Sequence, residues 1–207
     1  MESEPIRIGI TGNIGSGKSS FCEMLMDRGC KVIFADKIAQ EQLETPDSIK
    51  QITKRWGKDI LREGKPDRKK IASIVFNRKT ELDFLNSVIH PKTLNELQNI
   101  SDNSSERFLF FEIPLLFEAG MQRCFDYIIL VKADRGKRLT RLLKSGQESP
   151  SQIQARMNTQ ISDIEKIPLC DMVVDNSGTQ RTLLKQAEFL ISRLDSIRKR
   201  DTMPFYS

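Results

Sequence analysis

From position 12 the chain reads Gly12, Asn13, Ile14, Gly15, Ser16, Gly17, Lys18, Ser19 and then Ser20. The first eight fit G-x-x-x-x-G-K-[ST]. Glycines at this spacing let the backbone curl until its N–H groups point inward, where they can hold phosphate oxygens. Lys18 can then reach the β and γ phosphates of a nucleotide, and the Ser19 hydroxyl can ligate Mg2+. The stretch stands directly after an apolar β-branched run and directly before a helical pattern, as the mechanism requires. No Asn-Lys-x-Asp occurs anywhere, so the base signal of GTPases is missing, and 207 residues leave little room for a motor or an oligomeric ATPase. A small-molecule kinase using ATP is the remainder.

Such an enzyme needs a carboxylate near the γ phosphate to orient or deprotonate the acceptor hydroxyl. His90 is the single histidine, which excludes paired histidine ligands and a two-histidine relay and turns attention to carboxylates. Asp36 closes the second apolar run, which in most folds of this class lies beside the first. It reads as the base, as the cap of the following helix, or as both. Glu112 follows the run 108–111, where a carboxylate serving Mg2+ often lies, and Glu118 closes the phrase EIPLLFE. By spacing alone either is equally well a solvated side chain. The pair His90-Pro91 reads as a helix boundary set by proline. Cys22, Cys30, Cys124 and Cys170 show no metal-binding spacing and read as small core residues in a reducing compartment.

Five short apolar runs, at 6–11, 31–35, 108–111, 127–131 and 172–174, have strand length, and 108–111 and 127–131 are apolar throughout, as in a parallel sheet covered on both faces. Helical spacing falls between them: 20–28, from about 36, and from Pro46 with Thr45 as cap, ending at Trp56-Gly57. After a loop at 62–66 come three helical stretches at 67–77, 80–90 and 91–100, with Asp67 and Thr80 able to cap. Coming without strands, these three look like an insertion. Helices at 134–144 and 150–160 are joined by a polar loop at 145–149, and Leu183, Leu184, Ala187, Leu190, Ile191, Leu194 and Ile197 mark a final amphipathic helix. The pattern is α/β with a doubly wound parallel sheet, whose ligands bind at the carboxyl ends of the strands.

The net charge is +5, with 33 Lys and Arg against 28 Asp and Glu, and the signs are interspersed apart from the run Arg198, Lys199, Arg200. That suits small anionic partners better than nucleic acid, which usually meets a concentrated basic stripe. The stretch 1–10 is acidic where a signal peptide is basic, and no 18-residue apolar span exists, so no membrane partner and a cytoplasmic location are expected.

In order along nearly the whole chain, TGNIGSGKSS at 11–20, VIFADKIA at 32–39, Asp67-Arg68 followed by IVF, LNSVIHP at 85–91, EIPLLFE at 112–118 and DMVVDNSG at 171–178 resemble the dephospho-CoA kinases. The resemblance implies a P-loop NTPase-type five-stranded sheet and Mg2+-dependent transfer of the ATP γ phosphate to the ribose 3′-hydroxyl of dephospho-CoA, the last step of coenzyme A synthesis. It implies a nucleotide-binding core at 1–63, 102–135 and 169–207, a helical acceptor subdomain at 64–101 and a lid at 136–168, in a monomer or weak homo-oligomer. Asp36 becomes the base, Arg141 the matched lid arginine and Asn176 a residue near the adenine. Arg68, His90 and Glu118, with Asp36, are turned toward the acceptor, His90 otherwise being structural.

The sequence also departs from the family pattern. Asn13 stands where glycine is usual, Phe34 replaces the first aspartate of Asp-Ala-Asp, and Glu112 replaces aspartate. In the lid, Ser145 occupies the place of an arginine, and beyond Gln160 two more arginines are replaced by Asp163 and Lys166. Arginine offers a fixed bidentate fork that lysine lacks, so Arg138, Arg141 or Lys144 must serve the phosphates, or the protein is a slower or altered kinase. The alternatives are a nucleoside or nucleotide kinase of the same fold and a nucleotide-binding protein that has lost phosphotransfer.

Overall fold

A computed structural model describes residues 4–76, 78–146 and 149–206. Asn77, closing the helix expected over 67–77, Gln147 and Glu148 of the expected loop at 145–149, and the first three residues of the acidic stretch lie outside the described residues. In chain order the elements are β1 (Ile6–Thr11), α1 (Lys18–Met26), β2 (Lys31–Phe34), α2 (Ala35–Leu43), α3 (Pro46–Trp56), β3 (Leu61–Arg62), β4 (Lys65–Pro66), α4 (Arg68–Val75) and α5 (Lys79–Asp102). They continue with β5 (Phe108–Glu112), β6 (Tyr127–Lys132), α6 (Arg135–Ser145), α7 (Pro150–Thr159), α8 (Asp163–Lys166), β7 (Met172–Asp175) and α9 (Gln180–Arg193). Among the described residues, 4–34 with 101–204 form one compact unit and 35–100 with 205–206 a second.

The first unit carries a parallel five-stranded sheet in the order β2-β5-β1-β6-β7. The second strand therefore does not lie beside the first, as expected from the sequence; β5 stands between them. Burial gives the reason. Four of the five β5 residues are buried, whereas Lys31 of β2 is exposed and only Ile33 of that strand is buried. A run apolar on both faces is stable inside a covered sheet, and the more polar run takes the edge. Ile8, Ile10, Phe110, Ile129, Val131 and Val174 form the sheet's share of the core, packed with Phe21 and Leu25 of α1 and with Leu183, Ala187 and Leu190 of α9. Each fully buried side chain of this size contributes about 1.5–3 kcal/mol. The final stripe read from the sequence is thus a helix packed on the sheet. Cys22 and Cys124 are buried and Cys30 and Cys170 half-buried, all as free thiols.

The second unit builds its own core from Leu43, Ile52, Ile60, Ile71, Val88 and Ile89, with Trp56 edge-on to Phe84 at 5.4 Å between ring centroids. Thr45 and Asp67 cap α3 and α4 as expected. Residues 62–66, expected as a loop, belong to a hairpin in which Leu61 pairs Pro66 and Arg62 pairs Lys65. Glu63 and Gly64 both have positive φ, 53° and 79°, the backbone of a tight two-residue hairpin turn.

Two expectations fail in α5. The helix runs unbroken through His90-Pro91, and Thr80 lies inside it, so Thr80 is no cap. Proline removes one N–H and leaves the carbonyl four residues back without its helical partner. Here Ser87, His90 and Pro91 are all exposed, so water can take that carbonyl, and the buried Val88, Ile89 and Thr93 carry the helix through.

Candidate active site

β1 and α1 are joined by the glycine-rich loop at the carboxyl end of the sheet. Gly17 caps α1 in a left-handed conformation (φ 87°, ψ 30°) that an L side chain adopts only at a cost. No acidic residue occupies the first turn of α1, so the positive end of a nine-residue helix is left for an anion. Lys18 Nζ donates to the Gly12 carbonyl at 2.8 Å and stands 3.9 Å from Glu112 Oε1. Glu112 is the last residue of β5, in register with Ile10 of β1 and Phe34 of β2, and is only 6% exposed. Sheet register thus sets one buried carboxylate beside the lysine. The Ser19 hydroxyl, exposed in the first turn of α1, and this carboxylate are hard oxygen donors, the chemistry Mg2+ takes alongside phosphate and water.

Around the loop sits a layer of side chains that hold it. Asn176 Nδ2 donates to the Ser16 carbonyl at 2.8 Å. Arg141 donates through Nη1 to the Gly15 and Ser16 carbonyls, both at 3.2 Å, and through Nη2 to the Asn176 carbonyl at 2.8 Å. Asn176 is fixed in turn by its own N–H, which donates to the Lys132 carbonyl at 2.8 Å, and its neighbour Asp175 is held as well: Lys132 Nζ bonds Asp175 Oδ2 at 2.6 Å, and the Ser177 N–H bonds Asp175 Oδ1 at 2.8 Å. These bonds, that of Lys132 foremost, hold the Asp175 carboxyl down at about 2. Gly15 lies so close to α6 that a Cβ there would stand 2.9 Å from the Arg138 carbonyl.

The segment from 160 to 166 grips the same loop. The Ile14 N–H donates to Gln160 Oε1 at 2.8 Å, and Asn13 Nδ2 donates to the Ile161 carbonyl at 3.1 Å. Lys166, fully buried, sends Nζ to Asn13 Oδ1 and to Glu118 Oε1, each at 2.8 Å. Asp163 Oδ2 is 3.6 Å from Arg138 Nη1; burial pushes the Asp163 carboxyl up, against the pull of Arg138.

The loop residues, Lys18, Glu112, Arg141, Asn176 and Glu118 are therefore brought together in the first unit. Of the candidate substitutes for the lid arginines, Arg138 is buried with Asp163, Arg141 lies on loop carbonyls and Lys144 is exposed. Asp36, Arg68 and His90 belong to the second unit. Asp36 is exposed in the first turn of α2, within the helix rather than capping it. Arg68 opens α4 and bonds Gln40 at 2.7 Å and Glu44 at 3.3 Å, while His90 lies exposed in α5. The basic run near the carboxyl end is engaged by carboxylates: Arg200 by Asp171 at 2.5 Å, Lys199 by Glu4 and Asp126.

Sequence reasoning placed Asn13 in the phosphate loop and noted its side chain, with Asp163 and Lys166, as departures, but missed their bonds to the loop and its supports. Asn13 and Lys166 are 153 residues apart, and no periodicity links them.

A family model described as dephospho-CoA kinase matches residues 6–182. A dephospho-CoA kinase of Fusobacterium nucleatum is 35% identical over 182 residues, covering 87% of this chain and 94% of that protein. Among solved structures, TT1252 from Thermus thermophilus superposes with a TM-score of 0.79 at 30% identity, covering 93% of this chain and 99% of that one. Dephospho-CoA kinase from Campylobacter jejuni gives 0.66 at 26% identity, covering 92% and 98%. With its phosphate loop, sheet order and nearly full-length match, the chain belongs to the dephospho-CoA kinase family.

Proposed function

We infer that this protein transfers the γ phosphate of ATP to the ribose 3′-hydroxyl of dephospho-CoA, giving coenzyme A and ADP. The match of residues 6–182 to the family carries this reading, and the loop geometry supports it: a lysine, a helix amino end and a carboxylate at the carboxyl end of a parallel sheet are the parts phosphoryl transfer needs.

In this reading the 3′-hydroxyl oxygen forms its bond to the γ phosphorus as the bond from that phosphorus to the β,γ-bridging oxygen breaks, and ADP leaves. Little covalent work falls to the protein; positioning and charge neutralisation supply most of the rate. Lys18 and the backbone N–H groups of residues 12–19 hold the phosphates. Arg141 fixes the loop and sets a guanidinium beside it, and Asn176 lies near the adenine. Ser19 and Glu112 would hold Mg2+, which when bound would offset charge on the phosphate oxygens. Asp36 orients the hydroxyl and takes its proton.

Residues 64–101 serve as the acceptor subdomain, with Arg68 and His90 on it, and 136–168 serve as the lid. Glu118 is assigned to the acceptor side, with its Oε1 held by the Lys166 ammonium and the Ile161 N–H. We take the enzyme as cytoplasmic and as a monomer or weak homo-oligomer whose anionic partners are its two substrates, not nucleic acid or membrane. Among the described residues no helix is long and apolar enough to cross a membrane.

The test is ADP release with Mg-ATP and dephospho-CoA, adenosine, AMP or shikimate offered side by side. Dephospho-CoA should be preferred; preference for any other acceptor, or ADP release that no acceptor stimulates, overturns the reading.

A further inference from the structure

Lysine is almost never fully buried unless paired, because its ammonium loses several kcal/mol of hydration on entering the protein. Lys166 is fully buried, and Nζ has two oxygen partners at 2.8 Å, Glu118 Oε1 and Asn13 Oδ1. Asn13 belongs to the phosphate loop and is itself 4% exposed. Its amide is used at both ends, Oδ1 accepting from Lys166 and Nδ2 donating to the Ile161 carbonyl. The Ile161 N–H closes the figure on Glu118 Oε1 at 3.0 Å. Lys166, Asn13, Ile161 and Glu118 thus form one ring of bonds in which a loop side chain is clamped by a cation that the chain supplies from α8. The neighbouring loop N–H, that of Ile14, is turned to Gln160 from the same segment.

We propose that Lys166 is a positioning residue for the phosphoryl donor, acting through Asn13. By holding the Asn13 amide, it sets the path of the loop backbone whose N–H groups receive the ATP phosphates. Asn13 and Lys166 are then one device: the asparagine offers the oxygen that the buried ammonium needs, and the ammonium holds the oxygen end of an amide whose nitrogen is held by the Ile161 carbonyl. Glu118 balances the charge. The inference rests on ATP as the donor and is independent of which acceptor is used.

A double-mutant cycle between Asn13→Ala and Lys166→Met tests it, run on the full chain with Lys166→Met always made together with Glu118→Gln, so that neither charge of the pair is left buried alone. Mg-ATP affinity is read by calorimetry without acceptor, and KM and kcat for both substrates by ADP release. Loss of a hydrogen bond to a charged group corresponds to about 10- to 100-fold. Lys166→Met should weaken Mg-ATP binding and raise the ATP KM by that factor while the acceptor KM stays within about twofold. In the Asn13→Ala background the same change should cost less than about threefold. Equal factors in the two backgrounds, or a rise confined to the acceptor KM, would overturn the proposal. If the Lys166→Met protein does not fold, Asn13→Ala alone decides, since it leaves the Lys166–Glu118 pair in place: unchanged Mg-ATP affinity refutes the proposal, and a loss of about tenfold or more with native melting temperature supports it. Wild-type protein that bound no ATP would remove the donor assignment itself.

Discussion

Replacing Gly17 by alanine adds one methyl group at a tightly enclosed point of the phosphate loop, and its cost can be worked out from the surroundings. With φ at 87°, any L residue there carries about 1–2 kcal/mol of left-handed strain. The new Cβ would stand 2.1 Å from Asn176 Nδ2, far inside any real contact, so Asn176 must move and give up its 2.8 Å bond to the Ser16 carbonyl. Asn176 is only 7% exposed, and a buried group left unpaired costs about 1–3 kcal/mol. Together the two effects give about 2–5 kcal/mol. In a protein of this length each kcal/mol lowers the melting temperature by about 2–4 °C.

Gly29→Ala is the matched control: φ is 83°, and a Cβ there meets nothing within 4 Å, so it carries the backbone strain alone. Melting temperature and Mg-ATP affinity by calorimetry should place Gly17→Ala well below Gly29→Ala, with ATP binding weakened by at least about tenfold only in the former. Equal behaviour of the two variants would refute the packing of Asn176 on the loop.

Asp36→Asn should lower kcat by about 10²- to 10⁴-fold, the usual worth of a general base, with ATP affinity within about twofold; full turnover would remove Asp36 from proton transfer. The pH dependence of stability should carry the mark of Asp175. Its folded pKa of about 2 lies below the ordinary 3.8, so its contribution is fully present above pH 3.8 and is lost as pH falls through about 2. The side chain is half exposed, so the effect stays within about 1 kcal/mol. Urea unfolding of wild type and Asp175→Asn should differ at pH 5 and converge near pH 2; a constant gap would show that Lys132 does not hold that carboxylate.

The phosphate loop was legible because its chemistry is contiguous: eight residues at fixed spacing, bounded by a strand and a helix, leave few other folds. Strand existence was legible for the same reason, each run being local. Strand order was not, because β5 takes the place beside β1 that was expected for β2, through burial of both its faces, a property of the assembled sheet. Pro91 misled because the local rule concerns the lost N–H, whereas the outcome depends on whether the orphaned carbonyl faces water. Asn13 and Lys166 illustrate the hardest case. Each looked like an isolated departure from a family pattern, and only three-dimensional proximity shows that one substitution supplies the acceptor for the other's buried charge.

The most direct test of the central claim is the identity of the product. After incubation with Mg-ATP and dephospho-CoA, the phosphorylated acceptor is isolated and the new phosphate located by phosphorus–proton correlation in NMR. Phosphate on the ribose 3′-oxygen, formed one for one with ADP, is the predicted result. ADP formed with free phosphate and unchanged dephospho-CoA, or phosphate at any other oxygen, would contradict it.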